Sequence, residues 1–250
     1  MIYTISASSD IGQRQMNQDS LFVRKINASG QDVVLAVLCD GMGGFQKGEL
    51  ASSSLIAAFS DWMYTQLPVL LFTSLEDHVL REQWSGLVSH ENSKIQAYAK
   101  RENCVMGSTV VAMLLTGRRY YILNIGDSRA YELAQCCRQL TIDHTVVEQE
   151  VSRGNMTQEQ AFHSPHRNVL TRCVGVADTV YPDMFFGETK KDVVYLLCSD
   201  GFCNRITPDE MMFHFAGLNG GLRQKEELLI ELVKLRGERD NISVVTIATS

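Results

Sequence analysis

The stretch VVLAVLCDGMGG, residues 33–44, decides the fold. An apolar run from Val33 to Cys39 has no polar face, so it reads as a strand covered on both sides. It then drives straight into Asp40. An unpaired buried carboxylate is costly, so this acid must meet water, a partner charge or a metal ion. The glycines around it either cradle a phosphate or simply let the backbone turn. Two nucleotide motifs fail here. Counted from Gly41, Gln46 stands where a Walker loop needs its second glycine, and Gly48 where it needs a hydroxyl. The dinucleotide pattern fails at the same Gln46.

Composition narrows the function classes. The chain has 250 residues, enough for one large domain with a substantial core. A formal net charge of -6 argues against a general nucleic-acid partner, since such domains are usually basic. No apolar run approaches the ~20 residues of a membrane helix. The start, MIYTISASSD, lacks the basic and apolar regions of a secretory signal. Seven cysteines, an odd number with no C-x-x-C pair, point to reduced thiols in a cytoplasmic setting. Cys39 and Cys198 lie inside apolar runs and read as small hydrophobes.

Outward from the opening stretch, residues 3–8 and 21–26 read as short strands. Leu55, Ala58, Phe59, Trp62 and Met63 recur at helical spacing, and Pro68 marks the exit. A second helix covers 76–102. GSTVVAMLLTG (107–117), YYILNIGDSRAY (120–131) and a short piece near Leu140 read as paired strands, the first two joined by a turn at Gly117. Residues 144–165 are polar and helical in short pieces, interrupted by Gly154 and Pro165. Strand character returns at 179–187 and in VVYLLCSDGF (193–202). Thr207, Pro208, Asp209 and Glu210 combine cap, first-turn proline and acids into a helix start. A last helix carries Leu228, Leu229, Leu232 and Val233, ends at Gly237, and turns its charges from Arg223 to Glu231 to solvent. ISVVTIA closes the chain as a strand. Grouped strands and grouped helices, without strict alternation, favour an α+β architecture. Sheet packed on sheet with helices outside gives the apolar strands their cover, in one domain over 1–250 with a polar surface insert.

Acids sit beside apolar runs at five places: Asp19, Asp40, Asp127, Asp200 and Asp240. Each alone is explained by turn chemistry. Together, brought to one sheet edge, they would repel one another unless protonated or bound to cations. Oxygen-only ligands select hard ions such as Mg2+ or Mn2+ rather than zinc. Gly41 adds a carbonyl that can approach an ion closely. His163 and His166 lack the further ligands of a zinc site and read as loop residues.

SDIGQRQMNQD (9–19), CDGMGG (39–44), GSTVV (107–111), NIGDSRAY (124–131), DHT (143–145), CSDGF (198–202) and RDNISVV (239–245) occur in the order found in the metal-dependent protein phosphatases, the type 2C or PPM group. The chain resembles the compact bacterial branch over nearly its whole length. That resemblance implies a four-layer α-β-β-α sandwich, two mainly antiparallel sheets flanked by helix pairs, with a dinuclear Mn2+ or Mg2+ site at one edge. Asp40 would bridge the two ions with the Gly41 carbonyl on one of them, while Asp200 and Asp240 would ligate the other. Asp19 would join as a ligand or by holding coordinated water. Asp127, sharing Asp200, would help hold a third ion, and Arg14 would grip the substrate phosphate. Residues 145–175 would form the flap beside the site. The implied reaction is hydrolysis of phosphoserine or phosphothreonine in proteins by water held between the ions, without a covalent phosphoenzyme. The partners would be substrates of a serine/threonine kinase. A phosphoprotein-binding module without turnover and a phosphatase of a small metabolite are the alternatives.

The chain departs from the family pattern in places. It is one residue shorter between Gly12 and Asn17, and Phe45 stands where many bacterial members have histidine. Met42 occupies the position of a eukaryotic histidine thought to act as acid, so the general acid is unassigned. Gln18 stands where eukaryotic members have glutamate. His144 is a family landmark read as structural.

Overall fold

The computed structural model describes residues 1–250 apart from 29, 44–46, 74 and 216–219, so Phe45 and Gln46 lie outside the described residues. Strands β1 (Tyr3–Asp10), β2 (Asp19–Ala28) and β3 (Gln31–Gly43) precede helices α1 (Gly48–Thr65), α2 (Leu67–Thr73) and α3 (Asp77–Arg101). Next come β4 (Met106–Ser108), β5 (Val110–Leu115), β6 (Arg119–Ile125), β7 (Arg129–Leu133) and β8 (Cys137–Gln139). The insert holds α4 (Val146–Ser152) and α5 (Gln158–His163), followed by β9 (Asp183–Glu188) and β10 (Val194–Cys198). Helices α6 (Asp200–Cys203), α7 (Pro208–Phe215) and α8 (Leu222–Leu235) lead into β11 (Ile242–Thr249).

The fold is the expected α+β sandwich. One sheet has the order β1-β11-β10-β7-β8 and the other β2-β3-β5-β6-β9, with β4 paired to β3. Their pairings are antiparallel. The side-chain period of two explains why β3 is apolar throughout. Val33, Leu35, Val37 and Cys39 face a core shared with α1 and α3, whereas Val34, Ala36 and Leu38 face the core between the sheets. On the other sheet, β10 divides likewise: Tyr195 and Leu197 point between the sheets, and Leu196 and Cys198 toward α6, α7 and α8.

Local chemistry shifts some expected elements. YYILNIGDSRAY is two strands, β6 and β7, which belong to different sheets and are joined by a crossing at residues 126–128. The strand expected at 179–187 starts only at Asp183. α1 ends at Thr65, three residues before Pro68 as expected, and Pro68 itself sits in the first turn of α2, where its missing N–H costs nothing. Gly48–Thr73 is long and apolar enough to cross a membrane, which corrects the expectation that no segment is. Its Leu55, Phe59, Trp62 and Met63 are buried in the core against β3. The charged face of α8 is not wholly solvated either. Leu228 is exposed, while Glu226 is fully buried and accepts hydrogen bonds from Ser6 (2.7 Å), Ser8 (2.8 Å) and Thr246 (2.5 Å).

Candidate metal centre

Strand register assembles the acids. The antiparallel pairing of β2 and β3 sets Asp19 directly opposite Asp40. β10 and β11 pair with Cys198 opposite Val244, so Asp200, just after one strand, and Asp240, just before the other, come to the same end. Asp127 lies buried in the crossing between β6 and β7. The five carboxylates feel one another. Burial pushes Asp40 well above the usual carboxylate range, and repulsion from Asp19, Asp200, Asp127 and Asp240 adds to it. Burial first, then Asp200, does the same to Asp127. Asp19 is pushed up to about 7 by burial, with Asp200 and Asp240 contributing and the nearby Ser243 and Ser199 hydroxyls, which lie close without hydrogen-bonding to it, opposing. Asp200 is pushed up to about 6 by burial and then by Asp240.

These acids fit a divalent cation. Both carboxylate oxygens of Asp19 and Oδ1 of Asp200 are sealed from solvent without a hydrogen-bond partner. Such atoms are costly unless a cation meets them. All donors are oxygens, which suits Mg2+ or Mn2+. Among the described residues, no three His, Cys, Asp or Glu side chains are grouped tightly enough to hold an ion as they stand. Asp240 is engaged by Arg14, whose Nε donates to Oδ1 at 2.9 Å and Nη2 to Oδ2 at 2.6 Å. The guanidinium thus serves as the cation at this corner. Arg14 is 59% exposed, free to swing outward.

The cluster rests on neighbours that strand-end reading passes over. Asn241 is buried; its Nδ2 donates to the carbonyls of Ile11 (2.9 Å) and Met16 (3.1 Å), and its Oδ1 accepts from the Gln18 amide (2.9 Å). One side chain therefore ties the Arg14 loop and the approach to Asp19 onto β11. Gly12 completes that loop at φ +62, with the Asp240 carbonyl 2.0 Å from where a Cβ would stand. Thr109 holds Asp40: its Oγ1 accepts from the Asp40 amide at 3.0 Å, and its own amide donates back to the Asp40 carbonyl at 2.9 Å. The signal for Asn241 and Thr109 was present in RDNISVV and GSTVV, as polar residues at the mouths of apolar strands. Gly41 is required for packing too, since a Cβ there would stand 2.3 Å from the Gly48 carbonyl.

The insert closes the other side. Residues Thr145 and Leu170 form a bridge at its base, and Thr145 caps α4 by accepting from the Glu148 amide at 3.2 Å. A cavity of about 520 Å3 lies between cluster and insert, with Asp127, Asp200 and Asn204 on one wall and Glu148, Phe162 and Arg167 on the other. His163 and His166 are exposed, and among the described residues no third ligand joins them.

A profile of the protein phosphatase 2C family matches residues 8–233. The serine/threonine phosphatase Stp of Listeria monocytogenes serovar 1/2a is 33% identical over 239 residues, covering 94% of this chain and 90% of that protein. The Streptococcus agalactiae serine/threonine phosphatase superposes with a TM-score of 0.88 at 30% identity, covering 100% of both chains. The catalytic domain of the phosphatase PstP, solved in complex with two manganese ions, superposes with a TM-score of 0.80 at 30% identity over 98% of this chain and 97% of that one. The chain belongs to the protein phosphatase 2C family and is a protein serine/threonine phosphatase.

Proposed function

We propose that the chain hydrolyses phosphoserine and phosphothreonine in proteins phosphorylated by a serine/threonine kinase, using two Mn2+ or Mg2+ ions and a third near Asp127. One observation carries this: five aspartates converge at one edge of the sandwich, and three of their oxygens, both of Asp19 and Oδ1 of Asp200, are buried without a hydrogen-bond partner. Asp40 and the Gly41 carbonyl would hold one ion, with Asp40 shared to a second on Asp200 and Asp240. Asp19 would complete the acidic shell, and Asp127 with Asp200 would take the third. When bound, the ions supply Lewis acidity, lowering the pKa of coordinated water and offsetting charge on the phosphoryl group.

The chain's own residues supply the rest. Arg14 cannot hold Asp240 and a phosphate with the same fork. Once Asp240 turns to a cation, the guanidinium is released to bond two phosphate oxygens at once. The hydroxyls lining the floor are committed elsewhere. Ser108 donates to the Asp40 carbonyl (3.0 Å), Thr109 pairs with Ser128 (2.8 Å) and Ser243 with Ser9 (2.8 Å). This supports water as the nucleophile rather than a side chain. Relatives named as serine/threonine phosphatases along nearly the whole chain favour protein substrates over a metabolite and turnover over mere binding. Residues 1–250 act as one domain in this reading, with the flap at 145–175 beside the substrate. Seven free cysteines favour a reducing, cytoplasmic setting.

The test is turnover of a phosphopeptide with Mn2+, with and without chelator, by wild type and Asp200→Asn. Chelation and the substitution should each abolish activity; activity that survives both ends the proposal. A panel of phosphorylated metabolites run alongside should be turned over more slowly than the phosphopeptide.

A further inference from the structure

His144 makes no contact with the core of the acidic cluster, yet its hydrogen bonds converge on the turn that carries Asp127. The Gly126 amide donates to His144 Nδ1 at 3.1 Å, and the His144 amide donates back to the Gly126 carbonyl at 2.9 Å. An acceptor at Nδ1 requires the proton on Nε2, which lies 3.1 Å from Asp183 Oδ2. Asp183 is held in turn by Arg172, whose Nη1 donates to Oδ1 at 2.6 Å. The ring is buried, so its tautomer is set by these two partners.

Gly126 has little freedom of its own. Its φ is +107, and a Cβ would stand 2.5 Å from Thr109 Cγ2. Thr109 is the residue that also grips Asp40. The Gly126 turn is therefore pressed against the Asp40 anchor on one side and clamped by His144 on the other. The His144 carbonyl further accepts from the Thr171 amide at 2.8 Å, at the far stem of the insert. One residue thus joins the Asp127 turn to the base of the flap.

We infer that His144 is a positioning residue: its Nδ1, acting as acceptor for the Gly126 amide, fixes where Asp127 stands. Resting on the reading of Asp127 as a cation ligand, this makes the third ion's affinity depend on a side chain that never touches it. Outer partners of metal ligands typically contribute ~10–100-fold in affinity, and that is the scale expected here.

The two ring nitrogens can be separated by substitution. Asparagine places an oxygen near the Nδ1 position, keeping the acceptor and losing Asp183. Glutamine places its amide near the Nε2 position, keeping Asp183 and losing the acceptor. Mn2+ titrations followed by calorimetry and by free-Mn2+ electron paramagnetic resonance, with exchange of the Gly126 amide read by NMR, distinguish them. H144N should keep Mn2+ binding at the Asp127 site and a protected Gly126 amide. H144Q should weaken binding at that site by about tenfold or more and exchange Gly126 faster. Equal Mn2+ affinity in the two variants, or weaker binding by H144N than by H144Q, overturns the inference. If H144Q does not fold, H144N decides alone: a protected Gly126 amide with wild-type Mn2+ binding upholds it, and loss of either refutes it. Asp127→Asn is the control for the underlying reading. If it leaves Mn2+ stoichiometry unchanged, Asp127 is not a ligand, and the Gly126 exchange rates still decide whether His144 positions the turn.

Discussion

Replacing Asp19 by asparagine should stabilise the metal-free protein and reduce the stability it gains from bound Mn2+. The side chain sits across from Asp40, and both of its oxygens are sealed without a partner. Burial and neighbouring acids push it from 3.8 to about 7. A folded-state pKa raised above the unfolded value means the native state holds the proton longer. Stability is therefore fullest below the unfolded pKa, falls as pH rises from about 4 to about 7, and stays lowered above that. A rise of about three units corresponds to a loss of about 4 kcal/mol, taken as an order of magnitude. Asparagine keeps the shape and cannot ionise. Urea unfolding with chelator should show Asp19→Asn matching wild type near pH 4 and exceeding it at pH 8 by up to about 4 kcal/mol. Saturating Mn2+ shrinks the variant's advantage, and reverses it only if two sites are lost. Each site occupied at a hundredfold excess over Kd adds about 2.7 kcal/mol to wild type, and the variant gains less because one acid is missing. An Asp19→Asn protein less stable than wild type at pH 8 in chelator would refute the reasoning, since the carboxylate would then have a native partner to lose.

Three further outcomes follow from side chains outside that pair. Burial also raises the pKa of Glu226, so its contribution is full at low pH and is lost as pH rises past the ordinary glutamate value. Glu226→Gln should flatten this part of the stability profile, while Glu226→Ala strands three hydroxyls and opens a cavity, costing about 3–5 kcal/mol in urea unfolding. Arg14→Ala should tighten Mn2+ binding, because the guanidinium no longer competes for Asp240, and Arg14→Lys should lower kcat/KM on phosphopeptides roughly 10–100-fold through loss of the two-pronged grip. Weaker Mn2+ binding by Arg14→Ala would show that the ion pair supports the site. Gly12→Ala must fit a Cβ at positive φ where the Asp240 carbonyl already stands, and a Tm unchanged from wild type would show that the loop yields freely.

Much of the sandwich was legible because its strands must satisfy two cores at once. Uninterrupted apolar runs such as Val33–Cys39 and Val193–Cys198 need cover on both faces, and packed sheets with outer helices provide it. The split of YYILNIGDSRAY between sheets was not legible, because the Gly126-Asp127 turn signal says that the chain bends but only tertiary pairing shows that the strands on either side join different sheets. Glu226 was misread for a related reason. A charge among charges on an amphipathic helix looks solvated, and the hydroxyls that receive it come from β1 and β11, more than two hundred residues away in one case. The position of Arg14 on Asp240 was likewise invisible, since a guanidinium's choice between a carboxylate and a phosphate depends on which charges are present.

The aspartates were the most legible part, and antiparallel pairing says why. In such a sheet the end of one strand lies beside the start of its neighbour. Asp40 near the end of β3 thus faces Asp19 at the start of β2, and Asp200 after β10 lies near Asp240 before β11. An acid that follows one apolar run and an acid that precedes the next are then two halves of one place, whatever their distance along the chain. What this rule cannot supply is the spacing within that place. That is set by Thr109, Asn241 and the clamp of His144 on Gly126, polar side chains whose partners are backbone groups from other elements. Strand ends bring the carboxylates together; these three side chains hold the backbone that carries them.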